Sequence, residues 1–239
     1  HHYLHRRQRQ MCIRDSYSQA READLKLEHQ LGKKVKNDTI DYFMSPSSPW
    51  TYLGSKLFTD LAAENKRLVN VYPVNFGKIF PISGGLPLPK RAPQRQAYRL
   101  LELHRWKSRR KSTMKVEPNN FPSTAALPSL AIIAARELGH DALQFSNLIL
   151  AALWEEDLNI DDANIIGRLC ERSNFNQKAI LDYANSNAAQ EKYEHYTNFA
   201  IEKGVFGAPS YIVDGELFWG QDRLDFVSEK LKLDDFKTY

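Results

Sequence analysis

Apolar and polar residues alternate over TIDYFM, Thr39–Met44, and β-forming side chains dominate, which predicts a strand at about 39–44. SPSSP interrupts it. From Trp50 to about Asn65 the apolar positions Tyr52, Leu53, Leu57, Leu61 and Ala62 take helical spacing. LVNVYPVNF then predicts a second strand ending near Phe76, so the first part of the chain reads as a βαβ unit with a right-handed crossover. GKIFPISGGLPLPKRAP holds three Gly and four Pro in seventeen residues without a continuous period and reads as a loop.

A helix is expected from about Gln94 to Lys107, with Tyr98, Leu101 and Trp106 facing inward. KVEPNNFPSTAALPS is a second irregular linker. Helical patterns follow in LAIIAAREL, ALQFSNLILAALWEE, DANIIGRLCERS, QKAILDYANS and AAQEKYEHYTNFAIEKG, with Asp162 as the cap of the third. GAPSYIVDGELFWG places two short strands around Asp-Gly, a strong hairpin signal. QDRLDFVSEKLK closes the chain as a helix. The expected fold is a mixed α/β core split by a helical insertion.

Composition adds constraints. With 239 residues, 42% hydrophobic and 26% charged, the chain has the makings of a globular domain with a sizeable core. A net charge of +4 is too mild to argue for nucleic acid. No run of about 18 apolar residues is present, so no membrane span is expected. The two cysteines, Cys12 and Cys170, form neither a CxxC pair nor a metal cluster, which suits a reducing, cytoplasmic setting. Cys170 lies in a helical pattern and reads as a small buried apolar residue. Residues 1–16, HHYLHRRQRQMCIRDS, are basic, aperiodic and without a leader pattern; they read as a non-native or disordered tail and stand outside the fold argument. A charged extension follows over 17–38.

The β-α-β … β-β-α order, with a proline opening the third strand, resembles the thioredoxin-like layout, in the DsbA-like branch with an inserted all-helical domain. Three stretches carry a closer resemblance: SPWTYL at 48–53, KRAPQRQAYRLLELHRW at 90–106 and VFGAPSYIVDGELFWGQDRL at 205–224. They are similar to 2-hydroxychromene-2-carboxylate isomerases and, next, to kappa-class glutathione transferases. The resemblance implies a thioredoxin-like domain over 39–80 and 204–239, with loop and helical insertion over 81–203. It also implies glutathione as cofactor and a small aromatic carboxylate as substrate, in breakdown of naphthalene-like aromatics. Members are often dimers, so a homodimer is a further expectation.

Disulfide oxidoreductases of this fold carry CxxC where the strand enters the helix. Here those positions are Ser48-Pro49-Trp50-Thr51, so dithiol chemistry there is excluded. Ser45 and Ser47 compete for the first position; the ungapped match selects Ser48, which also suits a helix cap followed by Pro at the first helical position. In the resembled families that serine holds the sulfur of glutathione. A thiol of pKa near 8.5 is mostly protonated at neutral pH; a helix N-terminus and a donated hydrogen bond favour its thiolate.

The resemblance also carries over Ala208-Pro209, a cis pair offering backbone to the cysteinyl unit, and Gln221 and Asp222 at the γ-glutamyl end. Arg95 falls where the family has a lysine that approaches glutathione. Lys90, Arg91 and Asn75 are further candidates. Each has a plainer reading: Ser48 and Asp222 as helix caps, Pro209 as an edge-strand proline, and the basic residues as a solvated run. Trp50, Tyr52, Phe206 and Trp219 lie near these elements and can be core or substrate wall. Two other readings stand beside the isomerase. One is a kappa-like transferase with a permanent thioether product; the other is a non-catalytic module binding glutathione or peptide.

Overall fold

The computed structural model describes residues 38–235. The readings of 1–16 as a tail, of 17–37 as a charged extension, and of Cys12 lie outside the described residues. β1 (Thr39–Met44), α1 (Pro49–Glu64) and β2 (Leu68–Pro73) come first, then α2 (Phe76–Ser83), a short 3-10 turn at Leu88–Lys90 and α3 (Pro93–Arg110). Five helices follow: α4 (Ala126–Glu137), α5 (Ala142–Trp154), α6 (Ala163–Arg172), α7 (Gln177–Ala184) and α8 (Asn187–Glu202). β3 (Ser210–Val213), β4 (Glu216–Trp219), a 3-10 turn at Gln221–Arg223 and α9 (Leu224–Asp235) end the described chain.

The sheet has the order β2-β1-β3-β4. β1 pairs parallel with β2 and antiparallel with β3, and β3 antiparallel with β4. Alternation along β1 decides which face each side chain joins. Ile40, Tyr42 and Met44 join Leu53, Phe58, Leu61 and Tyr211 in the larger core, which continues into the helical insertion. Phe43 and Ile212 point the other way, to Val74, Ile79, Tyr196 and Ala200. The hairpin forms at Asp214-Gly215 as expected, both with positive φ (50° and 84°), the conformation a two-residue type I′ turn requires.

Local capping explains most helix starts. Ser48, Asn75, Asp141, Asp162, Asn176 and Ser186 each accept a hydrogen bond from a backbone N–H of the following turn. Three expectations need correction. The stretch after β2 is not all loop: Asn75 caps α2, Ile79 anchors it, and Gly84 in the left-handed region ends it. Its one turn-breaking residue, Pro81, sits in a helix of eight residues, and the dense Gly and Pro that argued for a loop fall mostly after it. Accordingly β2 stops at Pro73, short of Phe76.

α3 also runs longer than 94–107, and its inward stripe is shifted. Tyr98 and Leu101 are 56% and 54% exposed, whereas Leu103 is fully buried, with Gln96, Arg99, Leu100, Trp106 and Arg110 half-buried on its side. The inward face of α3 carries two arginines, so a hydrophobic count along it points to the wrong face. Third, α4 starts at Ala126, ahead of the expected LAIIAAREL pattern, with Pro128 tolerated in its first turn.

Cys170 is fully buried, and burial pushes its thiol up to about 11. Its thiolate is therefore scarce at neutral pH. Iodoacetamide at pH 8 is expected to leave the Cys170 peptide unlabelled in the native protein and to label it only in denaturant, read by peptide mass mapping. Rapid native labelling would contradict this burial.

Candidate active site

The end of β1 delivers the chain into Ser45–Ser48, and Ser48 N–H donates to the Ser45 carbonyl at 3.1 Å. Ser48, extended at φ −80° and ψ 124°, is the N-cap of α1, and its Oγ accepts from the Thr51 N–H at 3.2 Å. Pro49 has no N–H to offer, and the Tyr52 N–H goes to the Ser48 carbonyl. Among the described residues the Trp50 N–H is the first-turn donor without a partner, and the half-buried Ser48 hydroxyl donates to none. A hydroxyl and a backbone N–H at a helix N-terminus are donors of the kind that favour an anion. Ser45 and Ser47 bond to each other at 3.3 Å.

Register places the second element. Phe43 pairs with Ser210, the last β1–β3 pair, so Ala208-Pro209 enters β3 at the end of the sheet where β1 leads into Ser45–Ser48. The Ala208–Pro209 peptide is cis, as the resemblance implied; Phe121–Pro122 is also cis. The Pro209 carbonyl accepts from Gly220 N–H at 2.9 Å, and no hydrogen bond to the backbone of half-buried Ala208 is present among the described residues. Phe206 (40% exposed) and Trp219 (50% exposed) pack together beside this segment, with ring centroids 4.7 Å apart. The Trp219 ring lies on the backbone of Gly207, where an added Cβ would stand 2.2 Å from its Nε1.

The third element is the turn at Gln221–Arg223. Gln221 is 2% exposed. Its Cβ faces Gly54 of α1, where an added Cβ would come within 2.7 Å. Arg110, at the end of α3, donates from Nε to the Gln221 Oε1 (3.2 Å) and from Nη2 to both its Oε1 (3.1 Å) and its carbonyl (2.9 Å). Desolvation pulls the Arg110 guanidinium below its ordinary value, partly offset by Asp225. Asp222, next in the chain, is exposed, and its carboxylate accepts from Arg223 Nη1 at 2.7 Å. Gly220, at φ 102°, leaves room for that carboxylate. So Asp222 presents charge to solvent while Gln221 anchors the turn.

The remaining candidates are dispersed. Arg95 is exposed in the first turn of α3; it lowers the neighbouring Arg91, whose main shift comes from burial. Arg91 donates to the Leu86 carbonyl and Lys90 is exposed. The Asn75 side chain is occupied in capping α2. Trp50 is half-buried against the larger core. The Tyr52 hydroxyl is bound to Ser112 and Glu155. Sequence reasoning missed Arg110, which lies three residues past the expected end of the helix; the i+3/i+4 spacing Leu103–Trp106–Arg110 was the available signal. Among the described residues no group of His, Cys, Asp and Glu is placed to hold a metal, and no helix is long and apolar enough to cross a membrane.

Comparison with known proteins agrees with this architecture. The 2-hydroxychromene-2-carboxylate isomerase of Sphingobium xenophagum is 26% identical over 195 residues, covering 81% of this chain and 97% of that protein. A solved 2-hydroxychromene-2-carboxylate isomerase superposes with a TM-score of 0.71 at 22% identity, over 81% of this chain and 94% of that one. The cytosolic disulfide reductase DsbM of Pseudomonas aeruginosa, solved with GSH, gives 0.61 at 16% identity, over 83% and 98%. At these identities the two structures speak for the fold. The family model described as the DSBA-like thioredoxin domain matches residues 39–232, and with that span covered the chain belongs to the DSBA-like thioredoxin family.

Proposed function

We propose that the protein is a glutathione-dependent cis-trans isomerase acting on 2-hydroxychromene-2-carboxylate or a closely similar aromatic carboxylate. The observation that carries this is the first turn of α1, with a serine hydroxyl and a backbone N–H that has no partner among the described residues; the resemblance matches this serine to the first cysteine of disulfide enzymes of the fold. The site offers stabilisation for a sulfur anion and supplies no sulfur of its own. Relatives that bear the isomerase name, and a neighbour of the same fold solved with GSH, support the choice of reaction and cofactor.

In this reading Ser48 donates its hydroxyl proton to the glutathione sulfur and, with the Trp50 N–H, favours the thiolate. Ala208 offers its backbone to the cysteinyl unit, a short strand addition at the end of β3, with Pro209 shaping the segment. Asp222 receives the γ-glutamyl amine, and Gln221 fixes the turn that carries it. Arg95 takes the glycyl carboxylate as a point of positive charge. Phe206 and Trp219, their rings inclined at 59°, offer an exposed apolar surface to the substrate ring. The thiolate adds to a conjugated carbon, converting a double bond to a single bond; rotation and elimination then return the thiolate and leave the trans isomer.

The test is incubation with 2-hydroxychromene-2-carboxylate, with and without glutathione, followed by chromatography of both. The expected result is trans-o-hydroxybenzylidenepyruvate formed only with glutathione, and glutathione recovered unchanged. Stoichiometric loss of glutathione into a thioether would replace the isomerase by a transferase. Saturable glutathione binding without any product would replace it by a binding module.

A further inference from the structure

A cavity of about 660 Å³ opens between α1, the C-terminal end of α3 with the segment after it, and α5. Its volume lies in the range of small-molecule sites, roughly 300–1,000 Å³. It runs down α1 away from Ser48, along Tyr52, Lys56 and Asp60 on successive turns, and neither Ser48, Ala208, Pro209 nor Asp222 lines it.

Its charge is lopsided. Lys56, Arg109, Arg110 and Lys111 line it against two carboxylates, Asp60 and Glu155. Asp60 is already paired with Lys56 at 2.9 Å, and Glu155 accepts from the hydroxyls of Tyr52 and Thr113, both at 2.9 Å. Arg109, Arg110 and Lys111 have no carboxylate within ion-pair distance among the described residues. Basic residues in a last turn complement the helix dipole, which accounts for exposed Arg109 and Lys111. Arg110 is half-buried: among the described residues it hydrogen-bonds only the side-chain amide and carbonyl of Gln221, its guanidinium lies 5.2 Å over the Trp106 ring, and the charges of Asp225 and Asp222 act on it. A guanidinium offers five donors in a rigid fork. Gln221 uses the Nε and Nη2 side, and among the described residues Nη1 makes no hydrogen bond in a side chain that lines the cavity. Leu53, Leu57 and Ala151 supply apolar wall.

We propose that this cavity is a second binding site, for a small organic monoanion with an apolar body, whose carboxylate is received by Arg109, Arg110 and Lys111. The inference does not depend on the glutathione reading. Since Arg110 also holds Gln221, an occupant shares one guanidinium with the turn that carries Asp222.

The experiment is amide chemical-shift mapping of the full chain titrated with benzoate and, separately, with its neutral isostere benzamide. Expected are saturable shifts confined to 52–60, 109–113 and 147–155. Benzamide produces no saturation, and the doubly substituted Arg109→Gln, Lys111→Gln protein, whose changed side chains are exposed, binds benzoate about fivefold or more weakly. Thermal unfolding of that variant checks that the fold stands. Absence of saturable shifts, shifts centred on Ser48–Trp50, equal binding of benzamide, or unchanged affinity in a folded double variant would each overturn the proposal.

Discussion

Ser48→Ala is expected to lower the isomerisation rate at pH 7 by roughly 10- to 100-fold, because a thiol returned toward pKa 8.5 is only a few per cent ionised there. The loss should be greatest at low pH and fade as pH rises past the free-thiol range, since the missing hydrogen bond matters only where the thiolate must be stabilised. The direction follows from charge: a donor to the sulfur lowers its pKa, so removing the donor raises it. Alanine also removes the cap on the Thr51 N–H, at about 1 kcal/mol. Ser48→Gly separates the two effects, because glycine at an N-cap costs only a few tenths of a kcal/mol. Both variants should show the same upward shift of the pH-rate profile, while only Ser48→Ala loses noticeable thermal stability. A uniform loss at every pH would reduce Ser48 to a cap.

Gly54→Ala is the second large effect, and it acts at a distance from the sulfur. Alanine normally favours a helix interior by about 1 kcal/mol over glycine. Here the new Cβ would stand 2.7 Å from the Gln221 Cβ, 3.1 Å from the Tyr211 hydroxyl and 3.4 Å from the Gln221 Cα. None of these belongs to a swinging chain end: Gln221 and Tyr211 are buried, and Arg110 holds Gln221 by three hydrogen bonds. Overpacking of this kind costs roughly 1–3 kcal/mol and exceeds the gain in propensity. The Gln221–Arg223 turn must move, carrying Asp222 with it. The expected outcome is a melting temperature lower by a few degrees together with a KM for glutathione raised about tenfold, with kcat less affected. A variant as stable as wild type with unchanged KM would show that the turn tolerates displacement.

The elements of the fold were unequally legible in the sequence. Strand alternation in TIDYFM, the Asp-Gly hairpin, and the caps at Ser48 and Asp162 are local signals, and each matches an observed element. What escaped was set by tertiary contact. α2 stands on a cap and one buried isoleucine within a stretch whose composition argues for loop. α3 turns its arginine-bearing side inward, where Arg110 donates to Gln221 and Arg99 lies 5.3 Å over the ring of Phe121. No hydrophobic count along one helix can register a partner 111 residues away. The same applies to the candidate site. Ser48 and Pro209 are candidates through motif resemblance, whereas the burial of Gln221 and its hold by Arg110 belong to packing alone.

The most direct test of the account is ultraviolet titration of the thiolate band of glutathione bound to the wild-type protein and to Ser48→Gly. Bound glutathione is expected to ionise at least about one pH unit below the free thiol in the wild type. Ionisation close to the free value is expected in the variant, with binding retained. Glutathione that binds the wild type without any shift, or a shift that survives loss of the Ser48 hydroxyl, would contradict the account.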